Sequence, residues 1–221
     1  MFDLDYTLLR LTLDPVQVYV DVLTGAGWDI KLEKLSAAYR RSSKIYLLHG
    51  NDFATEREAY LFGAVQTLNE IGVNDADGCI AEKIMEGFDV LDIVEPYEDS
   101  IPAINGIRDL GIRVGVATGR WHDPSVDLAA TGLASLLDVT FYAGLFGAQK
   151  HESAYWRRIL DLEGLTGAQT VLVDDSADAV ETAREVGMAA YRIQRPDSPM
   201  APQDGADLET LGALPRLLGI A

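Results

Sequence analysis

A single cysteine, Cys79, rules out a disulfide framework within the chain, and its expected place is as a small buried apolar side chain in a reducing compartment. No run of about 18 apolar residues occurs, which excludes a membrane-spanning helix. No basic stretch followed by an apolar run opens the sequence, so no signal peptide is expected and the expected location is cytoplasmic. Positive charge is scarce: 18 Lys and Arg stand against 35 Asp and Glu, a formal net charge of −17. A chain this acidic repels nucleic acid and anionic membranes, so neither is an expected partner. It repels phosphate esters as well, so an anionic substrate would need a bound metal ion and a few placed Lys or Arg residues. Apolar residues are not lacking. They make up 48% of the 221 residues, enough for a sizeable core with little disorder. The length suits one α/β domain, or a core carrying a modest insertion.

From Pro15 to Asp89 the periodicity is helical. Asp14 followed by Pro15 is a start signal, with Asp as N-cap and Pro at the first helical position. Val16, Val20 and Leu23 recur at helical spacing until Gly25 and Gly27. Leu32–Ser42, Thr55–Ile71 and Ala76–Phe88 read as three further helices, giving a helical unit over 13–92. After Pro96 the pattern alternates. A helix over Ile101–Leu110 leads to the apolar run Val114–Ala117, ending at Thr118. A helix near Ser125–Thr131 precedes Val139–Tyr142, one over Ser153–Glu163 precedes Thr170–Val173, and one over Ala177–Val186 precedes Ala189–Ile193. Leu208–Leu218 reads as a last helix. This alternation predicts a Rossmann-like α/β core, 1–12 and 93–221, with a parallel sheet and helices on both faces. The helical unit is then an insertion beside the place where open α/β sheets bind ligands.

Four features fall at carboxyl ends of expected strands or in the loops that follow: Asp3-Leu4-Asp5, Thr118-Gly119, Lys150 and Asp174-Asp175. Parallel strands bring such ends to one rim. A carboxylate can attack phosphorus and split ester hydrolysis into two steps. A second carboxyl two residues on can protonate the leaving alkoxide and then activate water. Further carboxylates suit Mg²⁺, a hard cation that prefers oxygen ligands. A hydroxyl, a backbone N–H and a lysine can hold the remaining phosphoryl oxygens.

The order of these features resembles the haloacid dehalogenase superfamily, most of whose members are phosphatases. Phe2-Asp3-Leu4-Asp5-Tyr6-Thr7-Leu8 is similar to the first motif, with Tyr6 where glycine is usual. Val114–Thr118 is similar to the second. Lys150, followed by His151 rather than proline, matches the third. Val171-Leu172-Val173-Asp174-Asp175-Ser176 is similar to the fourth. The resemblance implies a Mg²⁺-dependent phosphate-monoester hydrolase acting on a small phosphorylated metabolite through an aspartyl-phosphate. Asp3 would be the nucleophile and Asp5 the general acid/base, with Lys150 as the catalytic lysine. Thr118, Gly119 and Arg120 would bind phosphate or substrate. Asp3, Asp5, Asp175 and Asp174 would hold the metal, Asp5 through its backbone carbonyl and with Asp178 as an alternative to Asp174. The helical insertion would be a type 1 cap that closes over the site, with Arg40, Arg41 and Lys44 as candidate substrate contacts. Tyr19, Tyr39, Tyr46 and Tyr60 are expected to pack the cap. His122 and His151 lie near the site loops without an assigned role.

Alternatives keep the same motifs or the same acidic chemistry. A phosphomutase uses the same four motifs. A dehalogenase of this fold lacks the second motif-one Asp, so Asp5 opposes it. A receiver-like phospho-aspartate binding protein has its acidic pair, phosphorylated Asp, Thr and Lys in another order. The sequence points to no particular oligomeric state. The family places four or five apolar residues before the first Asp as the central strand, whereas only Met1 and Phe2 precede Asp3. The first strand is therefore expected to be largely missing, and the natural protein to begin a few residues upstream.

Overall fold

The structure is a computed structural model describing residues 1–88, 94–196 and 205–219. The chain divides into two compact units, Met1–Arg10 with Val94–Ala221, and Leu11–Ile93. The expected end of the insertion, at 92–93, falls outside the described residues.

The first unit is built on parallel strands. β1 (Leu9–Leu11) and β2 (Val94–Pro96) form a small two-stranded sheet where the chain leaves for the insertion and returns. β3 (Gly115–Thr118) pairs in parallel with β4 (Val139–Tyr142), and β5 (Val171–Asp174) with β6 (Ala189–Arg192). Between β3 and β5 lies the segment Met1–Asp3. Phe2 bridges Val116 on one side and Val173 on the other, both in parallel. Phe2 N donates to Gly115 O (2.8 Å), Asp3 N to Val173 O (2.9 Å), Ala117 N to Phe2 O (2.8 Å) and Val173 N to Met1 O (3.0 Å). Three residues thus fill the central strand position, and the spatial order is β4, β3, Met1–Asp3, β5, β6.

Side chains alternate across this sheet, as the two-residue period of a strand requires. Phe2, Val116 and Val173 join the core on one face, while Ala117, Leu172, Phe141 and Ala190 join the core on the other, where Met1 also packs. Both faces are covered, which explains why the strands read as near-continuous apolar runs. The covering helices are α5 (Ser100–Asp109), α6 (Ser125–Ala130), the single turn α7 (Ala143–Phe146), α8 (Ser153–Glu163) and α9 (Ala177–Glu185). The expected helix over Leu208–Leu218 is not continuous. Leu208 bridges Ile193, Leu211–Ala213 is a 3₁₀ turn, and only Leu214–Leu217 forms α10. Pro215 cannot donate the hydrogen bond that would extend the helix backwards, and Leu211 N donates instead to Asp99 Oδ2 (2.8 Å).

The second unit comprises α1 (Pro15–Gly25), α2 (Leu32–His49), α3 (Glu56–Ile71) and α4 (Cys79–Phe88). Asp14 Oδ1 accepts from Val16 N (2.8 Å), and Thr55 Oγ1 caps α3 through Glu58 N (3.2 Å). Helix α2 runs to His49, seven residues past the expected Ser42, with Tyr46 buried on its inner face. Helix α4 starts three residues late, because the Asp75 carboxylate takes Ile80 N and Ala81 N. Cys79 is exposed, contrary to the expected burial. It opens α4 on the outer side, while Ala81, Ile84 and Met85 face the core. Tyr19 meets Tyr39 edge-on and Tyr46 stacks on Tyr60, the packing role expected of them. Arg41 is paired with Glu70 of the same unit. No helix among the described residues is long and apolar enough to cross a membrane.

Candidate active site

The carboxyl ends of Met1–Asp3, β3 and β5 share one rim, and side chains separated by more than 100 residues meet there. Asp3 is buried, and its Oδ1 accepts a hydrogen bond from Lys150 Nζ at 2.5 Å. The same ammonium donates to Asp174 Oδ2 at 2.8 Å. Asp174, fully buried at the end of β5, also accepts from Ser176 N at the start of α9 (2.9 Å). Asp3, Asp174 and Asp175 each bring a carboxylate oxygen within 4.8 Å of the others. Asp178 is exposed and outside this cluster, so Asp174 is the residue the fold brings to it.

The electrostatics follow from this crowding. Burial raises the Asp3 carboxyl well above its ordinary range; Lys150 opposes the rise, and the neighbouring carboxylates add to it. Burial and then Asp174 push Asp175 up to about 7. Burial alone would lower the Lys150 ammonium, but Asp174 and Asp3 outweigh it and hold the group above its usual value. Three carboxylates share one lysine, so the cluster is short of positive charge. Its donors are all hard oxygens, the set that suits a divalent cation such as Mg²⁺, and these residues fit such an ion.

Asp5 takes a different role. Arg120 grips it with two parallel hydrogen bonds, Nε to Oδ2 (2.8 Å) and Nη2 to Oδ1 (2.6 Å). Partial burial works to raise the Asp5 carboxyl, but the charge and hydrogen bonds of Arg120, helped by Lys150, hold it below its ordinary value. Its carboxylate is therefore outside the metal-type cluster. Arg120 is also tied through Nη1 to Asp127 on α6. The expected phosphate-binding residues are Thr118, Gly119 and Arg120. Thr118 is buried, and its Oγ1 accepts from Arg120 N (3.3 Å). Gly119 O accepts from Gln149 Nε2 (3.1 Å), which binds the second-motif loop to the loop bearing Lys150.

Several supporting residues were not singled out in the sequence. Tyr155 and Trp156, both fully buried, anchor the two loops: Tyr155 OH donates to Thr118 O (3.0 Å) and Trp156 Nε1 to Lys150 O (2.7 Å). An adjacent aromatic pair opening the helix just after the lysine is the signal that marks them. Arg195 donates to Thr7 O (2.8 Å) and pairs with Asp99, fastening the chain just past Asp5. Asp127 carried no local signal, since an acidic residue in a first helical turn is common. Tyr6 adopts φ +58°, the only non-glycine residue at positive φ among the described residues.

A model of the haloacid dehalogenase-like hydrolase family matches residues 1–187, and the chain belongs to that family. It is 32% identical over 130 residues to Phosphatase MT3486 of Mycobacterium tuberculosis (strain CDC 1551 / Oshkosh). That match covers 57% of this chain and 58% of the relative's length. Among solved structures, YfnB from Bacillus subtilis, bound to magnesium, superposes with a TM-score of 0.72 at 16% identity, covering 99% of this chain and 97% of that one. The L-2-haloacid dehalogenase RSc1362 superposes at 0.71 and 16% identity over 99% and 96%. A HAD phosphatase from Thermococcus onnurineus superposes at 0.63 and 24% identity over 99% and 96%. These likenesses establish the fold.

Proposed function

We propose that this protein is a Mg²⁺-dependent phosphate-monoester hydrolase that acts on a small phosphorylated metabolite, with residues 13–92 as its cap. The observation that carries this reading is the division of labour between two carboxylates two residues apart. Asp3 lies in the acidic cluster against Lys150, and Asp5 is held outside that cluster by Arg120. Asp5 also separates this chain from a dehalogenase, which has no alkoxide to protonate.

Asp3, Asp174 and Asp175 would hold Mg²⁺, which when bound offsets the charge of the phosphoryl group. Lys150, the Thr118 hydroxyl and the Gly119 backbone N–H orient the remaining phosphoryl oxygens. An Asp3 carboxylate oxygen then attacks phosphorus. The phosphorus–ester oxygen bond breaks with its electron pair going to the leaving oxygen, which takes a proton from Asp5; Asp5 is ionised while Arg120 holds both its oxygens, so it must first leave that pairing and take up a proton from solvent. In the second step Asp5 takes a proton from water as the water oxygen bonds to phosphorus. The Asp3–phosphorus bond breaks, releasing phosphate and restoring both carboxyl groups.

Steady hydrolysis of p-nitrophenyl phosphate with Mg²⁺ is expected, lost with EDTA and with Asp3→Asn. Turnover unaffected by Asp3→Asn would overturn the reading. A bisphosphate-dependent exchange of phosphate between two hydroxyls, with little release of inorganic phosphate, would replace it by a phosphomutase.

A further inference from the structure

A peptide unit is planar, and in its trans form the C=O and the next residue's N–H point in opposite directions. A side chain that holds the carbonyl therefore also aims the N–H at the far end of the same plane. Two successive planes of the loop after β3 are held in that way. Tyr155 OH donates to Thr118 O (3.0 Å), at the back of the plane whose front is the Gly119 N–H. Gln149 Nε2 donates to Gly119 O (3.1 Å), at the back of the next plane, whose front is the Arg120 N–H. That N–H donates in turn to Thr118 Oγ1 (3.3 Å).

The Gly119 N–H belongs to the side of β3 that faces Asp3. Ala117 N, on that side, donates to Phe2 O (2.8 Å), and along an extended chain every second N–H returns to the same side. Tyr155 is well placed to fix such a direction. Its ring is fully buried and lies edge-on to both Phe146 and Trp156, with centroids 5.4 and 5.0 Å away. Its hydroxyl is thus carried on a side chain that packing locks in place.

We propose that Tyr155 is a positioning residue for the phosphoryl group: acting from behind the loop, it aims the Gly119 N–H at a phosphoryl oxygen. Tyr155 itself touches no substrate. Its hydrogen bond to the carbonyl also polarises the peptide, which makes the N–H a stronger donor. A donor already aimed costs no reorganisation as charge develops on the phosphoryl oxygens. The proposal rests on the hydrolase reading above.

Tyr155→Phe removes one oxygen and keeps the ring. Protein labelled with ¹⁵N-glycine reports on the Gly119 amide directly. In the parent, inorganic phosphate added with Mg²⁺ is expected to shift the Gly119 resonance. In Tyr155→Phe the dissociation constant for inorganic phosphate should rise about three- to tenfold, the worth of one hydrogen bond. The kcat/KM for p-nitrophenyl phosphate should fall by about tenfold or more. The rise in melting temperature on adding Mg²⁺ should persist, since Tyr155 is not bonded to the acidic cluster; its loss would mean a disordered site and would overturn the proposal. Ile159→Val, at a buried site about one turn further along α8, controls for simple loss of stability and should leave phosphate affinity unchanged. A Gly119 resonance that ignores phosphate in the parent overturns the proposal. So does a Tyr155→Phe variant that binds phosphate as tightly as the parent, or an equal weakening by Ile159→Val. If the parent binds phosphate at Gly119 yet hydrolyses no ester, the hydrolase reading fails, and the phosphate titration still decides the positioning claim.

Discussion

At the scale of single residues, the first motif shows how a departure from the usual pattern is accommodated. Leu8 N and Leu9 N both return to Leu4 O, and Tyr6 N donates to Leu9 O (2.7 Å), so the chain reverses within five residues. That reversal places Tyr6 at φ +58°. Glycine is usual at this place because it lacks the Cβ that makes the left-handed region costly, about 1–2 kcal/mol for other residues. Thr7 O and Leu8 O are held by Arg195 and Ser100, which keeps the strained turn closed. Tyr6→Gly should therefore lie within about 1 kcal/mol of the parent, strain relief offsetting the extra freedom of the unfolded chain. Tyr6→Val should destabilise by more than about 1 kcal/mol, since β-branching is least tolerant of positive φ. Urea unfolding of the three proteins checks the order, and a Val variant as stable as the Gly variant would contradict it. The residues that meet at the rim were readable from their strand ends: Asp3, Thr118, Lys150, Asp174 and Asp175 each close or follow an apolar run. The Arg120–Asp5–Asp127 chain was not, because pairing between guanidinium and carboxylate depends on side-chain direction, which no spacing encodes.

At the scale of elements, helices with a cap and a periodic apolar face were well marked, and short pieces were not. Strand β4 and helix α8 have the expected bounds. Strands β1 and β2 have three residues each, too few to show a two-residue period. The α4 start was displaced by an Asp75 side chain that competes for backbone N–H groups, the ordinary behaviour of Asp near helix ends. The turn α7 was also silent, yet it supports the site. A Cβ built on Gly144 would come within 1.9 Å of Trp121 O, so the backbone of the Arg120–His122 loop rests directly on this glycine. Gly144→Ala should push that loop away and cost about 1–3 kcal/mol as an overpacked contact. The melting temperature should fall. The kcat/KM for p-nitrophenyl phosphate should fall as well, since the displaced loop directly follows Thr118 and Gly119 at the rim. Gly106→Ala, where a Cβ meets nothing within 4 Å in helix α5, serves as the control: it should leave kcat/KM nearly unchanged and raise the melting temperature, since alanine favours a helix interior over glycine by about 0.5–1 kcal/mol.

At the scale of the whole molecule, a net charge of −17 works against gathering three carboxylates at one buried rim, and the protein answers with Lys150, which bonds Asp3 and Asp174. The raised Asp3 carboxyl, and Asp175 raised to about 7, carry the consequence. A carboxyl whose pKa is higher in the folded state than in the unfolded chain keeps its proton longer in the folded protein. Between pH values of about 4 and about 7 the folded form therefore binds more protons than the unfolded one, and stability contributed by these groups falls as pH rises through that window. A divalent ion requires the deprotonated ligands, so its stabilisation grows in the opposite direction. The general surface repulsion of an acidic chain also lowers stability with rising pH, but it is common to the metal-free and metal-loaded protein. The increment in melting temperature on adding Mg²⁺ isolates the site, and it should be small at pH 5 and increase steadily to pH 8. Asp175→Asn should be more stable than the parent at pH 8 without metal, because one buried repulsion is gone, and should show little Mg²⁺ increment at any pH. A Mg²⁺ increment independent of pH, or one retained in Asp175→Asn, would mean that the ion is held elsewhere than among Asp3, Asp174 and Asp175.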